Sequence, residues 1–212
     1  MIVETFAVGP FQCNCVIIGE PATGDALVVD PGDQLDLILA RLTHHRLTKV
    51  KAIVHSHAHL DHIGATAALR DATGAPILLH EGDRYLWENI GMQAMMLGLR
   101  TPKEFDIDAR LEDGGTVGIP GAEGEVLYTP GHTPGSVCFH FPKLGKLLLA
   151  GDTLFMGSIG RTDLPGGDTN QIMTSIHTRL LTLDDDTQVI PGHGPVTTIG
   201  EERAGNPFLQ GR

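Results

Sequence analysis

Four apolar runs in this chain each break at a turn that carries a metal-ligand side chain, and a fold must bring those turns together. The densest follows a run over 50–54 and reads His55-Ser56-His57-Ala58-His59-Leu60-Asp61-His62. Residues two apart in extended chain project to one side, so His57 and His59 can share one ion. Asp61 and His62 follow at once, before the next helical stretch, where they can reach a second ion. Later runs end at Gly131-His132, Gly151-Asp152 and Gly192-His193. Glycine turns at strand ends let backbone approach a ligand closely, and α/β proteins place chemistry there. One histidine is most simply a hydrogen-bonded structural residue; four within eight residues, ending in Asp-His, are not. Imidazole and carboxylate without thiolate suit Zn²⁺, Fe²⁺ or Mn²⁺ in an open, catalytic site.

Short β-type runs alternate with helical stretches. Strands are expected over 16–18, 26–29, 50–54, 77–79, 125–128, 136–141, 146–150 and 187–190. Helices are expected over 35–42, with Asp33 as N-cap, over 63–71 and over 170–183. The pattern is α/β, and the early hairpin-like strands argue against a purely parallel sheet. Segment 85–105 reads as an undecided helical stretch; its methionines at 91–97 are more simply gap-filling core than a substrate entrance. No repeat or linker divides the 212 residues, so one domain over 1–212 is expected.

The formal charge of −11 disfavours nucleic acid as a partner. No apolar run approaches the roughly 20 residues that span a bilayer. The first eight residues lack the basic head and apolar core of a secretory signal. No membrane partner and a cytoplasmic location are therefore expected. The three cysteines form no disulfide framework, and Cys13 and Cys15, on one side of a strand, read as small core residues.

The chain resembles the metallo-β-lactamase superfamily. His57, His59, Asp61 and His62 form its His-x-His-x-Asp-His motif, and His132, Asp152 and His193 follow in the family's order. Asp30, in Asp30-Pro31-Gly32, sits where the family's early aspartate turn falls. Within the superfamily it is most similar to the type II glyoxalases (hydroxyacylglutathione hydrolases), in the stretches at 151–155 and 159–161. Gly160-Arg161-Thr162-Asp163 and Asn206-Pro207-Phe208-Leu209 are similar to short bacterial members of that group. The resemblance implies a four-layered αβ/βα sandwich with metals at one edge between two sheets. It implies one ion on His57, His59 and His132, a second on Asp61, His62 and His193, and Asp152 bridging, with Asp30 behind the ligands. The cofactor is then two divalent ions, zinc first, with iron or manganese acceptable to the same donors. His55 is given at most a supporting role. His80, His140 and His177 read as core or surface residues, and His44 and His45 as a solvated helix end.

Two such ions hold a bridging water acidified toward pH 7, with Asp61 orienting it and taking its proton. A small-molecule thioester is the expected partner, first of all S-D-lactoylglutathione. The longer glyoxalases carry a C-terminal helical glutathione-binding domain that is not expected here. Arg161 falls where a basic residue contacts glutathione in them, though Asp163 replaces an aromatic; Arg161 reads equally as a partner of Asp163 or Asp168. The enzyme alternative is a mononuclear iron persulfide dioxygenase using His57, His132 and Asp152. A β-lactamase is disfavoured by His62, since those zinc enzymes generally lack a histidine directly after the motif aspartate. A nuclease is opposed by the charge. A metal-binding or scaffolding protein, the non-enzyme alternative, is opposed by retention of every ligand position.

Overall fold

Strand alternation explains the architecture. In the computed structural model, which describes residues 1–210, β2 (Cys13–Glu20) is almost wholly buried yet serves two cores. Cys13, Cys15 and Ile17 face one, Val16 and Ile18 the other. β3 (Asp25–Val29) divides in the same way, with Ala26 and Val28 outward and Leu27 and Val29 inward. A strand covered on both faces reads as a continuous apolar run.

The first sheet has the order β1 (Ile2–Val8), β2, β3, β4 (Lys49–Val54), β5 (Ile77–His80) and β6 (Ala109–Leu111). β1, β2 and β3 pair antiparallel, and β3 to β6 run parallel. The second sheet is built from β7 (Thr116–Ile119), β8 (Ala122–Tyr128), β9 (Val137–Phe141), β10 (Leu147–Gly151), β13 (Gln188–Pro191) and β14 (Thr197–Thr198). Only β10 and β13 pair in parallel within it. A small hairpin, β11 (Leu154–Phe155) with β12 (Ser158–Ile159), follows β10. Between the sheets, Val16, Leu27 and Val54 meet Val126, Phe139, Phe141 and Leu149.

Helices cover both outer faces. α1 (Leu35–His44) and α3 (Thr66–Thr73) contribute Ile38, Leu42 and Leu69 against the first sheet. α6 (Thr169–Ser175), a following π-helical turn at Ile176–Leu180, and α7 (Ile199–Gly205) cover the second. α2 (Leu60–Ile63), α4 (Arg84–Glu88) and α5 (Ile90–Leu97) form a further cluster through Leu60, Ile63, Leu86 and Ile90. The four-layered sandwich is thus the observed fold. Among the described residues, no helix is long and apolar enough to cross a membrane.

Some local expectations fail. Asp33 does not cap α1: its carboxylate accepts from the adjacent Gln34 N–H, and Gln34, with φ 54°, is the N-cap. The helix expected over 63–71 is broken into α2 and α3, because the Ala65 N–H goes to the Pro31 carbonyl. The helix expected over 170–183 ends in the π-helical turn. β1, β6, β7, β11, β12 and β14 are not among the expected strands: β1 is an edge strand with scattered burial, and the others have two to four residues. The methionines expected to fill core at 91–97 do not, since Met92, Met95 and Met96 are exposed on α5.

The turn at 30–32 packs directly on α2, and a Cβ at Gly32 would collide with the Asp61 carbonyl. Gly32→Ala should therefore destabilise the fold by about 3 kcal/mol in denaturant unfolding, the scale of a core overpacking that forces backbone shifts. Gly205, at the end of α7, faces open space, and Gly205→Ala should be neutral or stabilising by up to about 1 kcal/mol.

Candidate metal centre

The ends of β4, β8, β10 and β13 meet at one edge of the sandwich, and each delivers donors there. His57 and His59 follow β4, and Asp61 and His62 lie on α2. His132 sits in the turn from β8 to β9, Asp152 just past β10, and His193 just past β13. All seven residues expected from the sequence converge. Three overlapping donor sets result: His57, His59 and His132; His57, His62 and Asp152; Asp61, His62 and His193. The atoms of each set lie within 4.8 Å of one another.

Hydrogen bonds on the far sides of the rings fix which nitrogen faces inward. His132 Nδ1–H donates to the Arg161 carbonyl at 2.8 Å, and His193 Nδ1–H to the Phe11 carbonyl at 2.9 Å. Asp30 Oδ2 lies 3.1 Å from His62 Nδ1 and accepts from the Ser56 hydroxyl at 2.6 Å. Having donated to Asp30, the Ser56 oxygen accepts from His57 Nδ1, 3.1 Å away. Four histidines are thereby held as Nδ1–H tautomers with Nε2 presented to the centre, the arrangement carboxylates and carbonyls impose on metal-binding imidazoles. His59 instead turns Nδ1 inward, 2.9 Å from His132 Nε2 and 3.1 Å from His57 Nε2.

Inward-facing nitrogens at such distances have no proton donor among themselves. Asp152 Oδ1 is buried without a hydrogen bond, 3.4 Å from His62 Nε2. Its Oδ2 lies 3.6 Å from His132 Nε2 and 3.7 Å from His193 Nε2, so one carboxylate faces both outer sets. Asp61 Oδ2 lies 3.2 Å from His193 Nε2. A Cβ at Gly192 would fall on Asp152 Oδ1, so only glycine leaves that space. The donors fit divalent cations.

Protonation states agree with the geometry. Burial, reinforced by neighbouring imidazoles, drives His57 well below the ordinary histidine range and His59 to about 4. His132 is also lowered, chiefly by burial. Burial opposes charge on His62 and His193 too, yet at each the neighbouring carboxylates prevail: Asp152 and Asp30 at His62, Asp61 and Asp152 at His193. The three-histidine side is neutral, and the Asp61 side asks for positive charge.

Several supporting residues were invisible in the sequence. Gln93 on α5 accepts from the Leu60 N–H and donates to the Ala58 carbonyl, gripping the motif from both sides. Cys13 is more than the small core residue expected: its Sγ lies 3.5 Å from His62 Nδ1. Asn14 donates to the Pro191 and Gly194 carbonyls around His193. Each is far from the motif in sequence, and none has a spacing signal. Asp30 stands behind His57, through Ser56, and behind His62.

The remaining histidines lie elsewhere. His55 is buried against Thr66 Oγ1 and held at about 4 by burial. His80 stacks on Tyr128, His177 is exposed, and His45 is not simply solvated but meets Glu4 at 2.7 Å. The guanidinium of Arg161 is exposed and pairs with Asp163 at 2.8 and 2.9 Å, while Asp168 caps α6 instead.

A family model described as the metallo-β-lactamase superfamily matches residues 8–193. Hydroxyacylglutathione hydrolase GloC of Haemophilus influenzae is 38% identical over 219 residues, covering 100% of both chains. The crystal structure of BLEG-1 B3 metallo-β-lactamase superposes with a TM-score of 0.91 at 37% identity, covering 99% of this chain and 100% of that one. The di-iron-bound form of TTHA1623 gives 0.87 at 39% identity, covering 98% and 100%. With the motif, the sandwich and the His/Asp cluster in one arrangement, the chain belongs to the metallo-β-lactamase superfamily and carries its metal-binding centre.

Proposed function

We propose that this protein is a binuclear metal-dependent thioesterase, with hydroxyacylglutathione thioesters such as S-D-lactoylglutathione as the first candidate substrates. The carrying observation is Asp152, whose two oxygens face His62 on one side and His132 and His193 on the other. On this reading His57, His59 and His132 would hold one ion and Asp61, His62 and His193 the second, with Asp152 available to both. Bound there, two divalent cations supply a water acidified toward neutral pH and a Lewis acid for the substrate carbonyl.

The chain's own groups do the rest. Asp61 lies on the more open side of the cluster beside His193 and is held well below the usual carboxylate range: burial opposes its charge, but the His193 hydrogen bond and nearby imidazoles outweigh it. It is therefore ionised at neutral pH and able to accept a hydrogen bond from the attacking water and orient it. The Cys13 thiol is buried and pushed up to about 11 by that burial, so it does not compete as a nucleophile. A thiolate leaves without much general-acid help, which suits a site with no evident acid opposite Asp61.

A cavity of about 460 Å³ opens beside Asp61, lined by Phe11, Leu60, Leu99, Arg100 and Lys103. That is enough for the thiol half of a substrate. Arg161 remains a candidate for a substrate carboxylate, because an exposed ion pair such as Arg161–Asp163 is worth only about 0–1 kcal/mol and can be exchanged. The likeness to GloC favours the glutathione thioester. The likeness to BLEG-1 favours including a β-lactam in any substrate panel, since the same centre can attack an amide carbonyl.

Element analysis should find about two metal atoms per chain, lost on chelation together with activity and restored by adding metal. One iron per chain with O₂ uptake on glutathione persulfide would overturn the thioesterase reading in favour of a dioxygenase.

Asp61→Asn should lower kcat for lactoylglutathione by about 10²–10⁴ while the fold survives. His177→Ala, on the exposed surface, is the control. Near-normal turnover and metal content in Asp61→Asn would sink the assigned role.

Arg161→Ala should raise KM for lactoylglutathione more than it lowers kcat, the signature of lost ground-state binding. Equal effects on glutathione and non-glutathione thioesters would make Arg161 purely structural. Turnover of another acyl thiol or of the β-lactam alone would remove the glyoxalase reading.

A further inference from the structure

Asp83 is a fully buried acid beside the three-histidine set. It stands at the N-terminus of α4, where an aspartate ordinarily caps the helix, yet its side chain makes no capping bond there. The carboxylate reaches outward instead. Oδ2 accepts from the Ala58 N–H at 2.9 Å and from the Thr133 hydroxyl at 2.9 Å, and Oδ1 accepts from the Gly135 N–H at 2.6 Å. Ala58 lies between His57 and His59, and Thr133 directly follows His132. One carboxylate thus joins the backbone beside all three histidines of one donor set, across two loops on different sheets.

Close packing supports the same junction. A Cβ at Gly82 would press on the Pro134 carbonyl, and one at Gly135 would press on Asp83 itself. Ser136 Oγ completes the second loop, accepting from the Thr133 N–H and lying 2.7 Å from the Thr133 hydroxyl. None of these contacts reaches the other set. His62 is held by Asp30 and Cys13, and His193 by the Phe11 carbonyl.

We propose that Asp83 is a positioning residue for one metal site alone: it fixes the spacing of the His57–His59 loop from the His132 loop and so sets metal affinity at that three-histidine set, leaving the Asp61–His62–His193 set to Asp30 and Cys13. This rests on the reading that each set holds an ion. The position opposes an ionised carboxylate, since burial raises the Asp83 pKa to about 6 against three hydrogen bonds that lower it. An apolar or amide side chain would fill the same space with less desolvation, so the ionised acceptor is there for the three donors it gathers. Asparagine would keep the shape but set an NH₂ against one of those donors.

The test measures Zn²⁺ affinity by chelator competition in two backgrounds that each leave one set intact. With His193→Ala, which keeps the three-histidine set, adding Asp83→Asn should weaken Zn²⁺ binding about 10–100-fold, the usual loss when a group orienting a ligand is removed. With His132→Ala, which keeps the other set, the same addition should change affinity by less than about threefold. Thr133→Val, which removes one of the three bonds, should show the same split at smaller amplitude and carries the test if Asp83→Asn does not fold; Thr133→Ser, which keeps the hydroxyl, should restore affinity. Equal weakening in both backgrounds would make Asp83 a general fold residue and overturn the proposal, as would no weakening in either. If neither background binds Zn²⁺ before Asp83 is touched, the two-set reading itself falls, and the proposal with it.

Discussion

Imidazole lone pairs that face one another repel unless a proton or a cation lies between them. Here inward nitrogens approach to 2.9–3.2 Å across His57, His59, His132, His62 and His193. Around them stand Asp61 and Asp152, with Asp30 one layer behind. Protons relieve such a cluster only in part, because burial keeps His57 and His59 neutral. A divalent cation satisfies several lone pairs at once and offsets the carboxylates. The surrounding structure is organised to keep these groups together despite their repulsion.

It does so by placing ordinary backbone groups at the rims of the strands. Carbonyls of Arg161 and Phe11 set two tautomers, and one short chain, Asp30 to Ser56 to His57, sets a third. The glycine before or after each ligand turn removes a Cβ that would occupy the space of a neighbour. At Gly160 that neighbour is the Asp152 carbonyl; at Gly131 it is the backbone of Ile172 on α6. Backbone-fixed donors lose less freedom on binding a ligand than flexible ones would, which favours a site built on strand ends over one built on long loops.

What could be read in the sequence was local. His-x-His-x-Asp-His sits in one turn, and each later ligand is announced by the glycine beside it and the strand before it. The pattern of strands and helices gave only an α/β class, and the sandwich itself came from the family resemblance; that alternate residues such as Val16 and Ile17 serve two cores is visible only in the structure. The helix break at Gly64–Ala65 was not readable, because it depends on the Pro31 carbonyl, more than thirty residues away, taking the Ala65 N–H. Nor was the failure of Asp33 as a cap, which depends on Gln34 adopting a left-handed conformation in which its side-chain Oε1 accepts from the Gly9 N–H. Asp83, Gln93, Cys13 and Asn14 share that property: each acts through one to three bonds to residues distant in sequence, and residue type alone does not distinguish them from an ordinary acid, amide or thiol.

The donor sets have a further regularity with an energetic consequence. His57 and His59 come from the first sheet's end and His132 from the second's; likewise Asp61 and His62 from the first and His193 from the second. Each ion would therefore cross the seam between the two halves. The same seam is already sewn by backbone bonds, Asn14 N–H to Gly192 carbonyl at 2.7 Å and Val137 N–H to Ser56 carbonyl at 2.8 Å. A sliding of one sheet on the other would break both donor sets together, so metal affinity and sheet registry are linked quantities. Any ion bound only by the assembled halves stabilises them by about 2.7 kcal/mol at a hundred times its Kd. In a fold whose net stability is about 5–15 kcal/mol, that share would make a bound ion part of what holds the sandwich closed.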